Sequence, residues 1–275
     1  MSEFEFLPSA TIGQYIPTGS VLHRMDPRAK IVGFGLMMLA ITFSTSKIGV
    51  GIGLIAVIAG ILLSRIPLKF ALKGLLPPLP FMIIIAVLQF FFYPNPGTSI
   101  IFRLGPVVLS VAGILSGILI ILRFFTLILA ISLMSFVTST SEMIHGLQKL
   151  LTPLNRIGIP TMDFVMVIQV TLRFIPFLAQ SAERIAKAQA SRGAEWGGKS
   201  KGLVSRVRQI IPLIIPLFTT SLRRSETMAL AMDARAYGFK ANRTSMFEYT
   251  FNWRDALFIL ALLAIAATTL FAPKI

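Results

Sequence analysis

An all-α membrane protein is predicted by three observations on this 275-residue chain. Hydrophobic residues make up 55% of it and charged residues only 13%, which excludes an ordinary soluble domain. Apolar runs of about spanning length recur between short polar turns. Charge is segregated as well: 26 Lys and Arg face 11 Asp and Glu, for a net charge of +15, and sixteen of the basic residues fall between positions 138 and 254. By the positive-inside rule that basic block is cytoplasmic. The expectation is about five transmembrane helices together with long amphipathic helices on the cytoplasmic side.

The elements follow in order. The first 20 residues hold Glu3 and Glu5 and no Lys or Arg, unlike a cleavable signal peptide, so the first membrane helix serves for targeting. Asp26-Pro27 reads as a helix start, Asp as N-cap and Pro at the first position, where its missing N–H costs nothing. A span from Pro27 to Ser46 and a turn at Ser44-Thr45-Ser46-Lys47 lead into a second span, Ile48 to Leu63. A third, Phe70 to Tyr93, is kinked or delayed by Pro77, Pro78 and Pro80, and Pro94-Asn95-Pro96-Gly97 stops it.

Leu104 to Val137 is longer than a minimal span and must tilt, bend or project. It carries Arg123, the one charge deep in an apolar run, which is either functional or paired within the bundle. Between residues 138 and 252 the texture is amphipathic. Phe164, Val167, Ile168, Thr171, Leu172, Ile175 and Leu178 recur at helical spacing opposite Asp163, Gln169, Arg173 and Gln180. The run Ile210–Leu222, with Pro212 and Pro216, is shorter than a span, and both stretches read as long helices along the membrane face. A turn over Ser191–Ser200 joins them, and a last span begins at Trp253, whose indole suits an interface. Residues 1–137, 138–252 and 253–275 thus form a membrane domain of about four helices, a cytoplasmic helical domain and a terminal helix.

Several chemistries are excluded. No Gly-x-x-x-x-Gly-Lys-Ser/Thr phosphate loop occurs, so the chain is not itself an ATPase. Without cysteine, and with only His23 and His145, no metal site is expected. No nucleophile and acid–base set sits in a span, so the chain is not an enzyme. The spans lack the Asp, Glu and His relays of ion-coupled carriers, although a stand-alone ion-coupled secondary transporter is the competing reading. The basic excess points to acidic protein partners or anionic lipid head groups rather than nucleic acid.

One pattern occurs twice. Glu183, Ala186, Ala188, Arg192 and Trp196 are matched by Glu226, Ala229, Ala231, Arg235 and Phe239, at a constant offset of 43 residues. Each arginine stands between small residues, Ser191 and Gly193 in one copy and Ala234 and Ala236 in the other. An arginine at a helix C-terminus complements the helix dipole by about 0.3–1 kcal/mol, which alone would explain either residue. Small flanks also let a planar guanidinium enter a partner's groove and take a carboxylate bidentately.

These two triplets and the opening Gly13-Gln14-Tyr15-Ile16-Pro17-Thr18-Gly19-Ser20, followed by His23-Arg24-Met25-Asp26-Pro27-Arg28-Ala29-Lys30, resemble the transmembrane T component of energy-coupling factor (ECF) transporters, the EcfT/CbiQ-type family. The resemblance covers essentially the whole chain. It implies a prokaryotic plasma-membrane scaffold for import of vitamins or transition-metal ions, with N-terminus and coupling helices cytoplasmic. It would join a small membrane-embedded substrate-binding S component to two ABC-type ATPases, which use ATP and Mg while this chain binds no cofactor. Ser191, Arg192 and Gly193, with Ala234, Arg235 and Ala236, would be the ATPase-coupling ends. Met143, Met162, Met166, Met228 and Met232 would offer the S component an adaptable apolar surface, although core packing explains methionines equally well.

Overall fold

The structure, a computed structural model, describes residues 15–92, 100–104, 107–158, 161–193, 203–239 and 249–273. Helices dominate it: α1 (Pro27–Phe43), α2 (Lys47–Ser64), α3 (Leu68–Lys73), α4 (Leu79–Phe92), α5 (Val111–Val137), α6 (Thr140–Leu151), α7 (Thr161–Ser191), α8 (Leu203–Ala234) and α9 (Trp253–Phe271). A two-stranded antiparallel ladder of β1 (Ile100–Leu104) and β2 (Val107–Ser110) precedes α5, and a 3-10 turn over Thr152–Ile157 follows α6. Among the described residues four helices, α2, α5, α7 and α9, are long and apolar enough to cross a membrane. Helix α1, at 17 residues, rises about 26 Å and is only slightly short of a bilayer core. For α7, which the charge pattern assigns to the membrane face, the same length and composition would also serve a crossing.

Two compact units divide the chain, one holding α1–α6, the ladder and α9, the other holding α7 and α8. In the first unit α1 is central and packs on α9, α6, α5 and α2. Its start is as the sequence predicts: Pro27 at the first position and Asp26 as N-cap, with Oδ1 accepting the Arg28 N–H at 2.8 Å. The core lies where Phe34, Met37 and Ile41 of α1 meet Val57 and Ile61 of α2 and Leu129 and Leu133 of α5. The edge of Phe258 from α9 meets Phe34 at 5.9 Å. At the far end of α1, Ser44 Oγ donates to Thr269 O at 2.9 Å and Ser46 Oγ to Pro273 O at 2.7 Å. Helix α2 starts so close to α9 that a Cβ on Gly49 would fall on the Thr269 carbonyl.

Three spans differ from expectation. The first ends at Phe43 rather than Ser46, because Ser46 caps α2 instead. The third is two helices, because the chain turns through Gly74–Pro78 before Pro80 takes its place in the first turn of α4. The fourth begins at Val111 rather than Leu104, since residues ahead of it pair as strands and Ser110 Oγ caps the helix through the Gly113 N–H at 3.0 Å. Arg123 pairs within the bundle: its Nη2 donates to the Ser44 carbonyl at the end of α1. It therefore sits level with a helix end, and Val111–Leu122 continues past it beside α4. The stop at Pro94–Gly97, the Gly197-Gly198 turn and Trp196 lie outside the described residues.

Candidate functional site: two arginine-capped helix ends

Helix α7 absorbs Pro176 and α8 absorbs Pro212 and Pro216 without ending, so each runs past thirty residues. The predicted apolar stripe of α7 is largely uncovered by the chain itself: Phe164 is 63% exposed and Val167 58%. On α8, Ile214, Ile215 and Phe218 are also exposed. Faces this apolar call for lipid or another protein.

The two predicted ends form the same structure. Helix α7 closes with Arg192 N–H donating to Gln189 O at 3.1 Å and Gly193 N–H to Ala190 O at 3.0 Å, and Gly193 is left-handed at φ +85°. Helix α8 closes with Arg235 N–H on Met232 O at 3.1 Å and Ala236 N–H on Asp233 O at 2.8 Å. Tyr237 N–H then returns to Met232 O at 3.0 Å, completing a Schellman cap. Ala236 takes the left-handed conformation at φ +55° that Gly193 takes at the first end. Each arginine is thus the C-cap residue, followed by a left-handed turn that ends the helix and leaves the guanidinium exposed at its tip. Ser191, Gly193, Ala234 and Ala236 are exposed beside them.

The surroundings of the two ends differ. Before Arg192, Lys187 Nζ meets Glu183 Oε1 at 2.6 Å, an exposed i,i+4 pair worth about 0.3–0.5 kcal/mol. Before Arg235, the position matching Lys187 is Leu230, 70% exposed, so at this described position the second end is the more apolar.

Where α7 packs on α8, a groove of about 490 Å3 is lined by Arg173, Phe174, Phe177, Arg224, Thr227 and Met228. The Arg224 guanidinium lies 5.1 Å over the Phe177 ring, which meets the edge of Phe174 at 6.1 Å. Of the five methionines, Met228 lines this groove, Met162, Met166 and Met232 lie in the same unit, and Met143 lies on α6 in the other, 46% exposed. Sequence reasoning missed this groove, although Phe174 and Phe177, three apart on one helix face, were its signal.

It also missed a buried polar junction in the first unit. Lys30, wholly enclosed, donates from Nζ to His23 O at 2.8 Å, Val137 O at 3.2 Å and Glu142 Oε2 at 3.2 Å. Asp255 accepts the Asp26 N–H at 2.9 Å and the Asn252 N–H at 2.8 Å. His23 receives Ser20 Oγ at 2.7 Å and bonds Ile16 O at 2.8 Å. The stretch from Tyr15 to Lys30 that carries the family resemblance is therefore the stretch that locks α1, α5, α6 and α9 together.

Neither arginine tip offers an acid–base or nucleophilic set; each offers a planar cation on a rigid rod. The sequence profile of the family described as CbiQ, cobalt transport protein, matches residues 18–246. The chain is 38% identical over 251 residues to the energy-coupling factor transporter transmembrane protein EcfT of Brevibacillus brevis, covering 91% of this chain and 93% of that one. To the protein of the same name from Thermosediminibacter oceani it is 36% identical, covering 86% and 87%. To that of Bacillus subtilis it is 32% identical over 269 residues, covering 96% and 98%.

Proposed function

Since the chain belongs to the CbiQ/EcfT family, as the multi-pass, non-catalytic transmembrane component of an energy-coupling factor transporter, we propose that Arg192 and Arg235 are the two points at which ATP-driven motion enters it. The observation that carries this reading is the identity of the two caps: one arginine, one left-handed residue after it, one exposed tip, made twice. Two equivalent tips suit two similar partners, and the partners proposed are ABC-type ATPases that bind ATP and Mg themselves. A guanidinium at a helix terminus can take a carboxylate in a partner's groove through two parallel N–H donors.

In the proposed cycle the ATPases close on ATP, carry the arginine tips with them, and the long helices pass that motion to a small substrate-binding S component. The apolar faces of α7 and α8, with Met162, Met166, Met228 and Met232, and Met143 on α6, are the proposed contacts for it. Substrate, a vitamin or a transition-metal ion, is then released inward. This places the N-terminus, α7 and α8 on the cytoplasmic side of a prokaryotic plasma membrane, with the ends of the two helices facing the ATPases.

The test is the double variant Arg192→Ala with Arg235→Ala in the assembled transporter, followed by uptake, ATPase activity and subunit co-purification. The expected result is uptake lost, with ATPases either released or hydrolysing ATP without transport. Wild-type uptake from an intact complex would refute the proposal. Arg→Lys at both positions keeps charge without the planar fork and is expected to recover uptake only in part.

A further inference from the structure

We propose that the bundle end where α2 finishes and α1 and α9 begin holds a binding site for the phosphodiester of an anionic membrane lipid. A pocket of about 650 Å3 opens there, lined by Arg24, Arg65 and Arg254 together with Met25, Leu62 and Leu63. The three arginines come from separate parts of the chain: the segment before α1, the end of α2 and the first turn of α9.

Hydrogen bonds fix the backbone from which each arginine extends. Thr18 Oγ1 donates to Ser64 O at 2.6 Å, tying the segment before α1 to the end of α2. Arg65 then caps α2 in the left-handed conformation at φ 55°, which turns its side chain out of the helix line. The Asp255 carboxylate accepts the Asp26 and Asn252 N–H groups, tying the start of α1 to the start of α9. Arg254 stands beside that residue, with its guanidinium 5.7 Å from the Trp253 ring centroid.

The charge balance calls for an anion. Asp255 also borders the pocket, but it is only 3% exposed and both its oxygens are engaged by backbone N–H groups. Among the described residues no carboxylate forms an ion pair with any of the three arginines. The lining thus sets three arginines against the one Asp255 carboxylate, an excess of positive charge that favours a bound phosphate. The apolar wall narrows the choice to a lipid. Leu62 and Leu63, 69% and 67% exposed, lie on α2, a helix of spanning length and composition, where acyl chains can rest. Trp253, 69% exposed, has the place of an interfacial indole. A free phosphate would use the arginines and leave the leucines idle.

The experiment uses the full chain with Trp196→Phe, so that Trp253 is the one tryptophan, in mild detergent. Short-chain phosphatidylglycerol, phosphatidylcholine of equal chain length and inorganic phosphate are titrated against its emission, and native mass spectrometry counts retained lipid independently. Phosphatidylglycerol is expected to bind saturably and at least tenfold more tightly than phosphatidylcholine. Arg24→Ala, Arg65→Ala and Arg254→Ala together should weaken it at least tenfold. Lys69→Ala, Lys73→Ala and Arg184→Ala, which remove the same charge elsewhere, should leave it within twofold. Phosphate binding as tightly as phosphatidylglycerol would make the site one for the free ion and overturn the lipid assignment. Equal affinity for the two lipids, equal loss in the two triple variants, or no response by either readout would overturn the site itself.

Discussion

Glu142 Oε2 accepts both from the buried Nζ of Lys30, at 3.2 Å, and from the Ser139 N–H, as half of the capping box that starts α6. One carboxylate therefore neutralises an ammonium at the start of α1 and begins the helix that packs on it. Glu142→Gln keeps an oxygen for the cap and removes only the charge. Lys30 is then left enclosed among neutral oxygens with no counter-charge, which should cost about 3 kcal/mol. The measurement is the thermal midpoint in detergent, and adding Lys30→Met should restore a large part of the loss. A midpoint unchanged in Glu142→Gln would mean that the pair does not stabilise the fold.

Asp255 holds Asp26 and Asn252 through one oxygen each. In Asp255→Asn one of these oxygens becomes an NH2 group facing a backbone N–H, donor against donor. A loss of about 1–3 kcal/mol is expected. Hydrogen exchange should locate it at the amides of Asp26 and Asn252; uniform loosening of the whole bundle would point to a different cause.

Ala236 carries the left-handed strain that glycine avoids at the other tip. Ala236→Gly should relieve about 1 kcal/mol there, and Gly193→Ala should impose a similar cost. Amide exchange at Tyr237 reports the first, since its N–H closes the cap on Met232. Faster exchange in Ala236→Gly would contradict the assignment of strain.

Gly49→Ala puts a methyl group on the Thr269 carbonyl and forces α2 away from α9. Overpacking of this kind costs about 1–3 kcal/mol. Gly51→Ala, whose Cβ would meet nothing within 4 Å, is the control and should be neutral or slightly stabilising. Equal midpoints for the two variants would show that the helices are not in close contact.

Much of the fold was legible because it rests on local rules. Asp26-Pro27 starts α1 by its own capping chemistry, and α9 begins at Trp253 as the interfacial indole suggested. The arginine tips were legible for a different reason: the same pattern, an arginine between small residues, is made twice, although only Gly193 signals the left-handed residue and Ala236 does not. The break between α3 and α4 was half legible, since prolines show that a helix is disturbed without showing on which side it resumes.

By itself the sequence determined that this is a membrane protein of many helices, that its basic residues gather toward one part of the chain, and that an arginine between small residues recurs at the ends of two long helices. Those facts depend on composition, period and spacing, which every residue carries with it. Only the tertiary structure decided that Lys30 is buried against Glu142, that Asp255 reaches back to Asp26, that Arg123 serves a helix end, and that Arg24, Arg65 and Arg254 share one pocket. Each joins residues from distant parts of the chain, and a charged side chain looks the same in sequence whether it ends in water, in a buried pair or beside two of its own kind. What separates these outcomes is which helix ends meet, and packing settles that.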